Sequence, residues 1–242
     1  MRDDGIGRLI RQGNFESAEI AFVSRFLRPG MTVLDIGAHH GMYSLLASRC
    51  VGPAGRVVAF EPSPRERNAL RRHLKLNRAR NVDVEGLAVG DSATEAELFV
   101  AELRNDGCNS LRPPGVPAER IPVRVVRLDD WLPQHKLPSV DLVKLDVEGG
   151  ELAALQGASQ SFQAGFRPII LAEVQDVRTE PWGYPAREIV RFLEHYSYRW
   201  FSLSKNGSVF PLEANRVTFE DNLIACPEER LEALHGNGFT RP

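Results

Sequence analysis

The sequence predicts an α/β fold, a doubly wound and mostly parallel sheet, with an N-terminal helical extension over residues 1–28 and the main domain over residues 29–242. Four apolar runs each end at or beside an acid: Asp35, Glu61, Asp146 and Glu173. That is how buried parallel strands deliver polar groups to a crevice at their carboxyl ends. Stretches of helical period separate these runs. At 242 residues and 43% hydrophobic, the chain can bury one sizeable core and has no room for a second full domain.

Phe15 to Leu27 carries Phe15, Ala18, Phe22, Val23 and Phe26 at helical spacing and stops at Pro29-Gly30. This helix is expected to pack on the sheet or cover a ligand cleft. A first strand runs from Met31 to Ile36, and Gly37 and Gly41 open a helix over Met42 to Arg49. The turn Gly52-Pro53-Ala54-Gly55 leads into a second strand, Arg56 to Phe60. Ser63-Pro64-Arg65-Glu66 combines an N-cap, a proline at the first helical position and the glutamate of a capping box, opening a helix to about Asn77. Val82 to Val89 reads as a third strand, with Ala96 to Ala101 and Val123 to Leu128 as further strands. Arg104 to Arg120, rich in Gly, Pro and Asn, is long enough for a functional lid. Val140 to Asp146 is a central strand, followed by a short helix that stops near Gly157, and Ile169 to Val174 repeats the strand pattern. Ala186, Ile189, Val190, Leu193 and Tyr196 mark a final amphipathic helix, and Tyr198 to Leu203 and Asn222 to Cys226 are two closing strands.

The stretch Val33-Leu34-Asp35-Ile36-Gly37-Ala38-His39-His40-Gly41 reads as a ligand loop. Its glycines admit positive φ and close backbone approach, and the helix behind it is expected to present unpaired N–H groups. The spacing is D-x-G-x-x-x-G, not the G-x-G-x-x-G of a dinucleotide pyrophosphate site, which argues against a nicotinamide-dependent oxidoreductase on the same general fold. Glu61, about 20 residues beyond Gly41, suits a carboxylate on ribose hydroxyls. S-adenosylmethionine, which has a ribose and no phosphate, fits both features.

A net charge of -2 and a pI near 6.3 give no general electrostatic footprint for nucleic acid. The local basic run of Arg65, Arg67, Arg71, Arg72, Lys75, Arg78 and Arg80 reads as a solvated helix face. Cys50, Cys108 and Cys226 are odd in number and widely spaced, so neither a disulfide framework nor a zinc site is indicated and a reducing cytoplasm is expected. Met1-Arg2-Asp3-Asp4-Gly5 lacks a secretory pattern, and no stretch approaches the roughly 20 apolar residues of a membrane span. A soluble protein acting on a small-molecule partner is the expectation.

VLDIGAHHGMYS, GRVVAFEPSP, LAVGD, NSL, RLDDWL and VKLDVEGGELAALQGA, in this order, resemble the FkbM family of S-adenosylmethionine-dependent methyltransferases, over roughly Pro29 to Glu173. The resemblance implies the class I Rossmann-like methyltransferase fold and methyl transfer mostly to oxygen on small molecules, often hydroxyls of natural products or sugars. It also implies that Asp35, Gly37, Ala38, His39 and Gly41 line the methionine end and ribose of the cofactor. Glu61 would take the ribose hydroxyls, with Pro62 and Ser63 beside the adenosine and Leu87 and Ala88 near the adenine. The family usually carries Asn and then an aliphatic residue where this chain has His39 and His40. A neutral imidazole donates and accepts only through two nitrogens fixed by tautomer. The pair reads first as loop histidines satisfied by backbone or water, and it opens the alternative of a non-catalytic S-adenosylmethionine-binding regulatory module.

Methyl transfer needs in-line attack by an acceptor nucleophile on a sulfonium methyl, so positioning supplies much of the acceleration. A neutral alcohol also needs a general base, for which Asp146, Glu148, Glu173 and His39 are candidates, with Lys144 able to modulate a neighbouring carboxylate. A carboxylic acid acceptor would need none. Asp146 equally suits the cofactor's ammonium group. Lys144 and Glu151 read equally as surface or helix-face pairs. Asp146, Glu148 and Glu173 offer oxygen ligands of the kind Mg²⁺ takes, but their spacing defines no metal site and none is expected. The first helix and Arg104 to Arg120, with Asn109 and Ser110, are expected to shape the acceptor pocket.

Overall fold

In the computed structural model, residues 16–101, 109–113, 117–137 and 139–235 are described. Helix α1 (Ser17–Phe26) leads through β1 (Thr32–Ile36), α2 (Met42–Val51), β2 (Arg56–Phe60) and α3 (Pro64–Leu76) to β3 (Val82–Glu85). Then come β4 (Ala88–Val89), β5 (Thr94–Ala101), β6 (Ala118–Val126), α4 (Leu128–His135) and β7 (Leu142–Leu145). The chain continues through α5 (Glu151–Gln156), α6 (Ser159–Gln163), β8 (Ile169–Gln175), the short α7 (Asp176–Thr179) and α8 (Arg187–Glu194). It closes with β9 (Tyr198–Leu203), β10 (Val209–Pro211), β11 (Glu220–Pro227) and α9 (Leu231–His235).

The main sheet has the order β10-β9-β11-β8-β7-β1-β2-β3. From β3 to β8 all neighbours run parallel, and β11 enters antiparallel between β8 and β9. This is the expected doubly wound architecture, and it carries the Rossmann-like arrangement with β1 in the middle of the five parallel strands. All five residues of β1 are buried because both faces of the sheet are covered. Leu34 and Ile36 join Val143, Leu145 and Ile170 in one core, closed by Trp131 of α4, Leu155 of α5 and Ile189 and Leu193 of α8. Val33 points the other way, into a core with Val57, Leu171 and Ile224 that Phe22, Val23 and Phe26 of α1 and Ala47 and Val51 of α2 complete. Among the described residues no helix is long and apolar enough to cross a membrane.

Several elements depart from expectation. Val82 to Val89 is two strands: β3 pairs with β2, whereas β4 pairs with β6 in a separate sheet of order β4-β6-β5. The break falls at Gly86-Leu87, where a Cβ on Gly86 would stand 3.1 Å from the Arg67 guanidinium. Arg67 is not part of a merely solvated face, since it donates to the carbonyl oxygens of Glu61 and Pro62 at 2.8 and 2.7 Å. Strand β6 begins at Ala118 and contains Pro122, so part of the expected lid segment is strand. Proline is tolerated there because β4 pairs only with Val125 and Val126, which leaves β6 an edge at Pro122 on that side. Phe15, Cys108 and most of the rest of Arg104 to Arg120 lie outside the described residues. The helix α8 is not the last, and α6, α7, α9 and β10 carried too few residues to show a period. The capping box is also replaced: Ser63 N–H donates to Glu61 Oε1 at 2.8 Å, and the Ser63 hydroxyl donates to Glu66 Oε2.

The two sheets meet where α5 ends. A Cβ on Gly157 would stand 2.0 Å from the carbonyl oxygen of Gly90, at the end of β4. Gly157→Ala is therefore expected to cost about 1–3 kcal/mol by overpacking backbone on backbone, lowering Tm by several degrees in thermal denaturation. An unchanged Tm would show that this junction is not tightly packed.

Candidate active site

A cleft of about 440 Å³ opens at the carboxyl ends of β1, β2, β7 and β8. Asp35, Gly37, Ala38, His39, Glu61, Pro62, Leu87, Ala88, Lys144, Asp146, Glu148 and Glu173 all line it, as do Asn109 and Ser110. Gly41 and Ser63 do not. Gly41, with φ of 85°, lies where a Cβ would stand 2.2 Å from Leu70 Cδ1, so it seats α2 against α3. Ser63, fully buried, holds Glu61 in place instead.

The loop after β1 uses its own N–H groups within the protein. Gly37 and Ala38 both donate to the Phe60 carbonyl at 3.1 and 3.0 Å, and Gly41 donates to the Ala38 carbonyl at 2.7 Å. His39, in the left-handed region at φ 49°, donates its N–H to Glu61 Oε2 at 2.8 Å. What the loop offers the cleft is a low wall. A Cβ on Gly37 would stand 1.7 Å from the Asp146 carbonyl oxygen, so glycine lets the loop after β1 touch the loop after β7. The His39 and His40 rings stack at 3.9 Å, and His73 donates from Nδ1 to the His40 carbonyl at 2.9 Å.

Lys144 is buried at 8% exposure, not a surface pair. Its Nζ donates to Asp146 Oδ2 at 2.5 Å, and it lies in register with Asp35 on the neighbouring strand. Burial works against the ammonium, but Asp146, Asp35 and Glu16 outweigh it and hold Lys144 above the usual lysine range. Burial raises Asp35, opposed by Lys144 and by the Ser44 hydroxyl, which donates to Oδ2 at 2.5 Å. The other oxygen of Asp35 has no hydrogen-bond partner among the described residues. Glu61 is pushed up to about 7 by burial, against the N–H bonds from Ser63 and His39.

The second acidic group follows β7. Glu148, at φ 57°, lies 3.0 Å from Arg178 Nη1 and is pushed up to about 8 by burial and then by Asp146, with Arg178 opposing. Its carbonyl accepts the Ser110 hydroxyl at 2.9 Å and the Trp182 indole N–H at 3.2 Å. Glycine is required next: a Cβ on Gly149 would stand 2.0 Å from the Arg178 carbonyl oxygen. Glu151 is a buried group at 1% exposure, not a helix-face pair, and its Oε1 accepts N–H bonds from Val147 at 2.8 Å and Gly149 at 3.3 Å. Burial pushes Glu151 up to about 7 and Glu173 well above the usual range, the latter aided by Asp146, Glu148 and Glu151.

Sequence reasoning missed Glu16, Tyr43, Arg178 and Trp182, all of which line the cleft. Arg178 and Trp182 were within reach, because they directly follow a strand that ends in an acid, where open α/β sheets place ligand groups. Glu16 gives no local signal. Its carboxylate accepts the Tyr43 hydroxyl at 2.6 Å, and burial raises its pKa.

The Methyltransferase FkbM domain family matches residues 35–200. AMB antimetabolite synthetase AmbE of Pseudomonas aeruginosa is 31% identical over 192 residues, covering 63% of this chain and 9% of the synthetase. 31-O-demethyl-FK506 methyltransferase FkbM of Streptomyces tacrolimicus is 29% identical over 189 residues, 62% of this chain and 68% of that protein. 2-O-methyltransferase NoeI of Sinorhizobium fredii is 25% identical over 189 residues, 72% of this chain and 75% of that protein. The aligned region is thus a small part of the synthetase and most of the two methyltransferases.

Glu61 gives a pH prediction. Its folded pKa of about 7 lies above the ordinary carboxylate value, so the folded chain binds the extra proton and stability is lost as pH rises toward 7. Wild type should lose about 1–3 kcal/mol relative to Glu61→Gln between pH 5 and 8, read by denaturation at both ends of that range. A pH-independent difference would mean that Glu61 ionises normally.

Proposed function

This chain belongs to the FkbM methyltransferase family, and on that premise we propose that it transfers a methyl group from S-adenosylmethionine to an oxygen, hydroxyl or carboxylate, of a small molecule such as a natural product or sugar. The observation that carries the reading is one cleft lined by two acidic groups, Asp35 with Glu61 beside the glycine loop and Asp146, Glu148 and Glu173 at the ends of β7 and β8. A cleft this rich in carboxylates favours a cationic ligand, and the unpartnered oxygen of Asp35 is a buried acceptor ready for a donor. S-adenosylmethionine supplies a methyl group already activated on a sulfonium.

Asp35, Gly37, Ala38 and His39 would hold the methionine end, Glu61 and Pro62 the ribose, and Leu87 and Ala88 the adenine. The low wall at Gly37 brings these residues against Asp146, so the two reactants share a short boundary. Glu148, with its pKa near 8, is the general base: it takes the proton of an acceptor hydroxyl while Arg178 fixes its carboxylate. Asn109 and Ser110 border the acceptor side. Oxygen as the acceptor atom is supported by the names of the Streptomyces tacrolimicus and Sinorhizobium fredii relatives.

Calorimetric titration with S-adenosylmethionine and S-adenosylhomocysteine should give micromolar binding, about -8 kcal/mol. Asp35→Asn should weaken it about tenfold or more, while Glu148→Gln keeps the affinity and slows transfer to a hydroxyl acceptor by about 10²–10⁴. No binding of either ligand overturns the reading. Binding without transfer to any hydroxyl or carboxylate acceptor makes the chain a cofactor-binding module.

A further inference from the structure

Asp146, Glu151 and Glu173 come from the ends of β7 and β8 and the first turn of α5, and one carboxylate oxygen of each lies within 4.8 Å of the other two. Glu151 is 1% and Glu173 9% exposed. On each of these two residues Oε2 has no hydrogen-bond partner among the described residues. A buried carboxylate oxygen left without a donor is costly unless a proton or a cation meets it.

Charge balance narrows the choice. Lys144 compensates Asp146 and Arg178 compensates Glu148, while among the described residues Glu151 and Glu173 have no ion-pair partner. Two uncompensated carboxylates match one divalent charge. Glu151 is also pre-aimed: the N–H bonds from Val147 and Gly149 occupy Oε1 and fix the carboxylate plane, as supporting hydrogen bonds do at metal sites. An all-oxygen donor set suits a hard cation that keeps several waters. Asp146 and Glu173 open on the cleft, which gives such an ion a path in.

We propose that Asp146, Glu151 and Glu173 bind one hard divalent cation of the Mg²⁺ or Mn²⁺ class on the acceptor side of the cleft. This revises the expectation of no metal: the linear spacing hides the site because Glu151 looks like a helix-face residue until α5 buries it. The cation's service to catalysis, orienting an acceptor rich in oxygen atoms, rests on the methyltransferase reading, whereas its binding does not.

The test is titration of the full chain, freed of metal by chelator, with Mn²⁺ followed by electron paramagnetic resonance, and with Mg²⁺ followed by thermal shift. One Mn²⁺ per chain is expected, with affinity falling about tenfold or more in Glu173→Gln and in Glu151→Gln. Metal-free Glu173→Gln should melt no lower than wild type, because the amide matches the carboxyl group in shape and brings no charge into the buried site, yet it should lose the Mg²⁺-induced rise in Tm. Absent Mn²⁺ binding, or binding equal in wild type and both variants, overturns the site, and the acids then hold protons. A parallel S-adenosylmethionine titration keeps the two ideas apart. Cofactor binding without Mn²⁺ binding defeats the cation site alone, and Mn²⁺ binding without cofactor binding upholds it while defeating the methyltransferase reading.

Discussion

The arrangement of the cleft depends on one buried cation. Lys144 sits on β7 beside the middle strand, 2.5 Å from Asp146 and in register with Asp35, with Glu16 of the N-terminal segment also within its field. Its ammonium is the shared counter-charge of three carboxylates from three parts of the chain, opposing the burial that raises Asp35 and Glu16. A group so placed cannot be removed cheaply, since taking one partner from a buried pair costs about 3–5 kcal/mol. The same residue joins the two acidic groups, so their charge states are not independent.

Glycine provides the second constraint. The loop after β1 and the loop after β7 touch where Gly37 meets the Asp146 carbonyl, and the turn after Glu148 presses on Arg178 and Trp182 through Gly149. At Gly37 against Asp146 and at Gly149 against Arg178 the contact is backbone against backbone, with no room for a Cβ. They set the separation of the two walls by covalent geometry, which leaves little for side-chain rotamers to adjust.

The parallel sheet and its acids were legible because a strand buried on both faces must be apolar to its end, so Asp35, Glu61, Asp146 and Glu173 stand out where each run stops. Most of the residues expected around the cofactor line the cleft, and the same strand ends, with the family's ordered motifs, pointed to them. Gly41 and Ser63 stand outside the cleft lining, where one seats α2 against α3 and the other orients Glu61, roles that their residue types do not distinguish from those of a ligand loop. Glu151 was hidden because a glutamate in the first turn of a helix reads as exposed, whereas here it is buried and folds back on the N–H groups of Val147 and Gly149. The second sheet was hidden because β4 is two residues long and takes its partner from beyond a segment rich in Gly, Pro and Asn.

That second sheet has a consequence for how such an enzyme can change. It supplies Leu98 and its neighbours to the cleft and meets the main core through Val89 and Val126 and through the contact of Gly157 with Gly90. Substitutions along β5, at the outer edge of that sheet, alter what the wall presents without disturbing the register of β1, β2 and β7. One side of the cleft is therefore free to drift while the other is held by its own packing.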